Sequence, residues 1–158
     1  MVNILLMNKL RERIFAWALK HQASRKVIIP QWDKVRSIAI LYPNDNIQHI
    51  IKQLEKENKE VILFTMPDKK QICWLTGRPK LDIRELVSAR SFDVLIDLTQ
   101  ESSRVMQYMA IYIQAHFKVG RMIEEGIHDL TIDTPSQAAP DFLFEQIMRY
   151  IAMLSGKK

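Results

Sequence analysis

A single cysteine in 158 residues, Cys73, leaves no partner for an internal disulfide and no set of thiolates for zinc. It lies in the apolar run Ile72-Cys73-Trp74-Leu75 and reads as a small core hydrophobe. Glycine is also scarce. The four are Gly77, Gly120, Gly126 and Gly156, and none follows the first strand identified below. A dinucleotide-binding turn needs glycine there so that backbone can approach a pyrophosphate, and neither G-x-G-x-x-G nor a P-loop occurs. Glycine-loop NAD, FAD or ATP enzymes are therefore disfavoured, and no cofactor is expected. The histidines, His21, His49, His116 and His128, include no i, i+4 pair and no accompanying carboxylate cluster, so no metal site is expected. His49 falls on the polar side of its helix and His116 at a helix end. All four read as surface or capping residues. Ser102-Ser103 lacks the glycine-flanked elbow of a hydrolase nucleophile. Asp129 and Asp133 flank a short strand, a spacing that supports paired-acid catalysis only weakly.

Long apolar runs are missing too. None approaches the roughly 20 residues needed to span a bilayer. The short apolar start precedes its basic residues, Lys9, Arg11 and Arg13, the reverse of a secretory signal, so a cytoplasmic protein is expected. What is present is ordinary globular composition, 47% hydrophobic and 26% charged, enough for one domain with a real core. The net charge of +5 is uneven: residues 1–36 carry eight Lys and Arg against two acids, and the rest is slightly acidic. Only this N-terminal arm can attract an acidic partner.

Met7, Leu10, Ile14 and Trp17 recur at helical spacing, widened by Phe15 and Ala18, and predict a basic amphipathic helix within residues 1–26. Residues 27–36 form a linker and residues 37–158 one α/β domain. Its strands are the continuous apolar runs Ser37–Tyr42, Val61–Thr65, Asp93–Leu98 and Phe117–Gly120, with Gln71–Leu75 and Leu130–Ile132 as shorter candidates. Between them lie helices from Asn46 to Glu57 with Asp45 as N-cap, from an Asp82 cap to Ala89, and from Ser103 to Gln114. A last helix starts at Pro140 and runs to Leu154, burying Phe142, Ile147, Tyr150, Ile151 and Leu154. The alternation predicts a three-layer, Rossmann-like, mostly parallel sheet with helices on both faces.

In such a sheet ligands sit outside the carboxyl ends of the strands. Asn44, Asp45, Asp97, Gln100 and Arg121 are the polar side chains placed there, and a carboxylate beside an arginine can orient a hydroxylated or anionic small molecule. The plainer reading is that Asp45 and Ser102 cap helices and Asp97 accepts bonds from nearby loop N–H groups. Because fold alone does not imply a site, the plainer reading is favoured. A non-enzymatic binding or interaction domain is the expected function. The alternatives are a small-molecule or sugar-nucleotide-related enzyme using the strand ends, and an RNA- or membrane-surface protein acting through the arm. The amphipathic helix either docks on the sheet, pairs with a second copy to give a homodimer, or meets an acidic surface such as a membrane or nucleic acid.

Two resemblances follow from these segments. The strand Phe92–Leu98, the helix Ser103–Gln114 and the strand Phe117-Lys118-Val119-Gly120 together resemble part of the N-terminal domain of heptosyltransferase-type (GT-B) glycosyltransferases. That family has a Gly-Asp pair after its opening strand, where this chain has Pro43-Asn44-Asp45, and its second domain has no counterpart in 158 residues. Over nearly the whole length the chain is similar to a family of small Bacteroidota proteins of unknown function. The basic N-terminal helix, the Phe92–Asp97 strand, the Phe117–Gly120 segment and Asp129-Leu130-Thr131-Ile132 carry that similarity. It implies no residue role.

Overall fold

The computed structural model describes residues 4–42, 47–100, 103–121, 126–135 and 138–156. Its elements, in chain order, are α1 (Ile4–Ala23), β1 (Ser37–Leu41), α2 (Gln48–Lys56), β2 (Glu60–Phe64), α3 (Leu81–Ser88), β3 (Ser91–Asp97), α4 (Arg104–Tyr112), β4 (Gln114–Arg121), β5 (Leu130–Ile132) and α5 (Pro140–Leu154). The five strands form one sheet in the order β2-β1-β3-β4-β5, and every neighbouring pair is parallel. Chain direction across the sheet reverses between β1 and β3, the switch point at which such sheets open a crevice.

Parallel strands covered on both faces must be apolar on both sides, and β1 and β3 are. Ile38, Ile40, Val94 and Ile96 point into a core shared with α2 and α5. Ala39, Leu41, Phe92 and Leu95 point into the opposite core, shared with α1, α3 and α4. The fold is therefore the expected α/β sandwich with helices on both faces.

The N-terminal helix is part of that second core. Its buried residues are Phe15, Ala18 and Gln22, whereas Leu10 and Trp17 of the expected stripe face solvent. Phe15 packs edge-on against Tyr108 of α4, ring centroids 5.3 Å apart. The docking stripe is rotated from the one the apolar periodicity picks out, because a glutamine takes one of its positions.

Several local expectations are corrected. Gln71–Leu75 is not a strand. A 3-10 turn at Lys69–Gln71 leads into a loop that doubles back, with Ile72 bridged to Pro79 and Gly77 at φ +76° closing the turn. Cys73 is thus half-buried in a turn rather than a core residue, and the Thr76 hydroxyl beside it draws its thiol pKa down. The N-cap of α3 is Lys80; Asp82 lies inside the first turn. Helix α2 begins at Gln48 with Ile47 as its cap residue, and Asp45 lies outside the described residues. Ser103 caps α4, accepting the Met106 N–H at 3.2 Å, while Ser102 lies outside the described residues. In α5 the buried residues are Pro140, Leu143, Phe144, Ile147 and Ile151, and Phe142, Tyr150 and Leu154 are exposed. His116 lies on β4, not at a helix end.

Candidate functional site

Asp97 ends β3 and pairs in register with Gly120 of β4. Its carboxylate points to the α1/α4 face. One oxygen accepts the Thr99 N–H at 3.0 Å, the loop bond expected for it. The other lies 2.9 Å from Nε2 of His128. Both side chains are almost fully buried. Since a carboxylate can only accept, Nε2 carries the proton, and Nδ1 is buried and without a partner among the described residues. The Thr99 hydroxyl is likewise buried and unpaired. His128, Asp97, Thr99, Ser103 and Met106 line a void too tight to admit a water molecule.

Gly120 makes this approach possible. A Cβ built there would lie 2.7 Å from His128 Nε2 and 3.0 Å from Asp97 Cβ. The imidazole therefore rests directly on the glycine. The reading of His128 as a surface or capping residue is corrected: its partner is 31 positions away and is met only through the fold. The expectation holds for His49, which is exposed and 2.7 Å from Asp141.

The segment carrying His128 is tethered at each described residue. Gln22 of α1 donates through Nε2 to the carbonyls of Gly126 (2.6 Å) and Ile127 (3.0 Å). Asp129 accepts the Lys118 N–H at 2.8 Å and an ion pair from Arg25. Lys118, wholly buried on β4, reaches the same junction. Its Nζ donates to Gln22 Oε1 (2.6 Å), Ala110 O (2.7 Å) and Ile111 O (2.9 Å). The last carbonyls of a helix lack intrahelical partners, and Lys118 supplies a donor to two of those of α4, Ala110 and Ile111, from strand β4. Burial pulls the Lys118 pKa well below its usual range, Arg25 adds to this, and Asp129 and Asp97 oppose it. Three acceptors and no donor around Nζ are what the ammonium form requires.

Arg121, the next residue after Gly120, points to the opposite face. Its Nε donates to Thr134 Oγ1 at 3.0 Å, and its other nitrogens to the carbonyls of Gln100 and Ala138. Gln100 donates to Ala138 O at 3.3 Å. Burial draws the Arg121 pKa down, with the Asp97 carboxylate opposing it. The strand ends thus bring Gln100 and Arg121 together, and the sheet pleat separates Arg121 from Asp97. Asn44 and Asp45 lie outside the described residues. Among the described residues no group of three His, Cys, Asp or Glu is placed to hold a metal ion, and no helix is long and apolar enough to cross a membrane.

A family model described as a family of unknown function (DUF6913) matches residues 8–154. The chain belongs to this family. No curated protein matches, and no solved structure matches. The likeness to heptosyltransferases is not shown: it rested on a strand–helix–strand pattern that any parallel sheet can supply. The family match spans α1 from Asn8 as well as the sheet, in keeping with a helix that contributes Phe15, Ala18 and Gln22 to the core.

Proposed function

We propose that the protein is a non-enzymatic binding and interaction domain that pairs with a second copy through the exposed start of α1. The observation that carries the first part is that the charged and ring groups described at the strand ends are engaged within the chain. The acid, the imidazole and the arginine are bonded to groups of their own chain, and the void beside them excludes even water. An active site needs room for a reacting atom next to its polar groups. The second part rests on Ile4, Leu5 and Leu6, which are 73%, 71% and 65% exposed, with Leu10 one turn further on. Contiguous apolar side chains on a helix normally bury against protein. A cytoplasmic setting belongs to the same proposal.

The test combines light scattering with a metabolite-turnover screen on the full chain. The wild type should be a dimer, and the double variant Leu6→Glu, Leu10→Glu a folded monomer. A wild type that stays monomeric at high concentration would remove the pairing. Turnover abolished by Asp97→Asn would remove the non-enzymatic reading.

One observation favours a second reading. His128 Nδ1 and the Thr99 hydroxyl, both buried and unpaired, line the same void. An acid-oriented imidazole with a free ring nitrogen beside a hydroxyl is an arrangement that activates nucleophiles. It requires the tethered segment to lift, and the same turnover screen decides it.

A further inference from the structure

Far from the strand ends, α1, α3 and α4 enclose a hollow of about 430 Å³. That falls within the size range of small-molecule sites. Trp17, Tyr112, Leu81 and Ile111 give it a largely apolar wall, and Arg25, Arg78 and Arg84 give it positive charge against a single acid, Glu85.

The three arginines differ. Arg25 is committed to Asp129 and to Ala115 O. Among the described residues the Arg78 side chain donates from Nε alone, to the Tyr112 hydroxyl at 2.9 Å. Among the described residues the Arg84 side chain has no hydrogen-bond partner, and its Nε is buried without an acceptor. Neither Arg78 nor Arg84 has a carboxylate partner among the described residues. Both guanidinium carbons lie 5.8 Å from the centre of the Tyr112 ring. Arg78 also sits 5.6 Å from the Trp17 ring. The Tyr112 ring is thus flanked by two cations with most of their donors unspent. A guanidinium fork matches phosphate oxygens in pairs, and an anion beside two such cations offsets their mutual repulsion.

We propose that this hollow binds a mononucleotide-like organic phosphate. Arg78 and Arg84 take the phosphate, and a flat heteroaromatic body lies along the apolar wall beside Trp17 and Leu81. This goes beyond the pairing surface, which uses the other end of α1.

Calorimetric titration of the full chain with the four ribonucleoside monophosphates, the free nucleosides and inorganic phosphate tests it. At least one monophosphate should bind saturably, and its nucleoside and inorganic phosphate at least about tenfold more weakly. Losing one charge-assisted contact corresponds to about tenfold to a hundredfold in affinity, expected for both Arg84→Gln and Arg78→Gln. Arg13→Gln, on the exposed side of the same helix, should leave binding unchanged. If Arg84→Gln does not fold, Arg78→Gln carries the comparison. No saturable binding of any monophosphate overturns the proposal. So does an equal loss in Arg13→Gln, which would mark a diffuse attraction of anions to the basic helix.

Discussion

Replacing Gly120 with alanine should break the contact between β3 and the His128 segment. Gly120 has no positive φ, so its backbone accepts alanine and the penalty is steric. The added Cβ would fall 2.7 Å from His128 Nε2, on top of the bond that nitrogen makes to Asp97. Overpacking a tight core costs about 1–3 kcal/mol, and losing a hydrogen bond to a buried carboxylate about 1.5–3 kcal/mol, so about 3 kcal/mol or more is expected. His128→Ala alone should cost about 3–5 kcal/mol, because it empties the buried ring's place and leaves one oxygen of the buried Asp97 carboxylate without its partner. With the ring gone only the 3.0 Å approach to Asp97 Cβ remains, and Gly120→Ala should then cost at least about 1 kcal/mol less than in the wild type. The double-mutant cycle is read from urea unfolding followed by circular dichroism. Additive effects, agreeing to within about 0.5 kcal/mol, would mean that the imidazole does not rest on Gly120, and the reasoning would fail.

Two further predictions concern the frame around the His128–Asp97 contact. Phe15→Ala should destabilise the whole protein by about 3–5 kcal/mol, because its ring is in the core against Tyr108; unfolding in which α1 alone detaches would contradict this. Burial pushes the Asp93 carboxyl up, but the backbone N–H groups of Arg36 and Ser37, His116 and the Ser37 hydroxyl outweigh it, and its pKa lies below the ordinary 3.8. A lowered folded-state pKa gives stability that is complete above the unfolded value and lost as pH falls through the folded one. Asp93→Asn should therefore flatten the acid limb of a stability–pH profile below about pH 4 and change little in shape at neutral pH.

The central strands were legible because burial on both faces demands continuous apolar runs, and Ser37–Leu41 and Ser91–Asp97 have them; Glu60–Phe64, at the sheet edge, has such a run although it is only partly buried. Topology then places Asp97, Gln100 and Arg121 near one sheet edge, which is why that edge could be named from the sequence. Their division between two faces follows from register, since Asp97 pairs with Gly120 rather than Arg121. The partners that matter most had no local signal. Gln22 and Lys118 are polar residues that burial should exclude, and they are tolerated because each satisfies the other and several backbone carbonyls. His128 showed no metal spacing and no neighbouring acid, because its acid is on another strand. The run Ile72–Leu75 misled for the opposite reason: apolar composition alone does not bury Trp74, which is 81% exposed at a turn.

The most direct test of the closed strand end is chemical modification of histidine by diethyl pyrocarbonate, read residue by residue with mass spectrometry. The His49 and His116 side chains are 58% and 44% exposed and should react readily, whereas His128, at 1%, should be protected until the protein unfolds. Modification of His128 at the rate of His49 in the folded protein would show that the strand end is open to small molecules, which contradicts a buried His128 seated on Gly120.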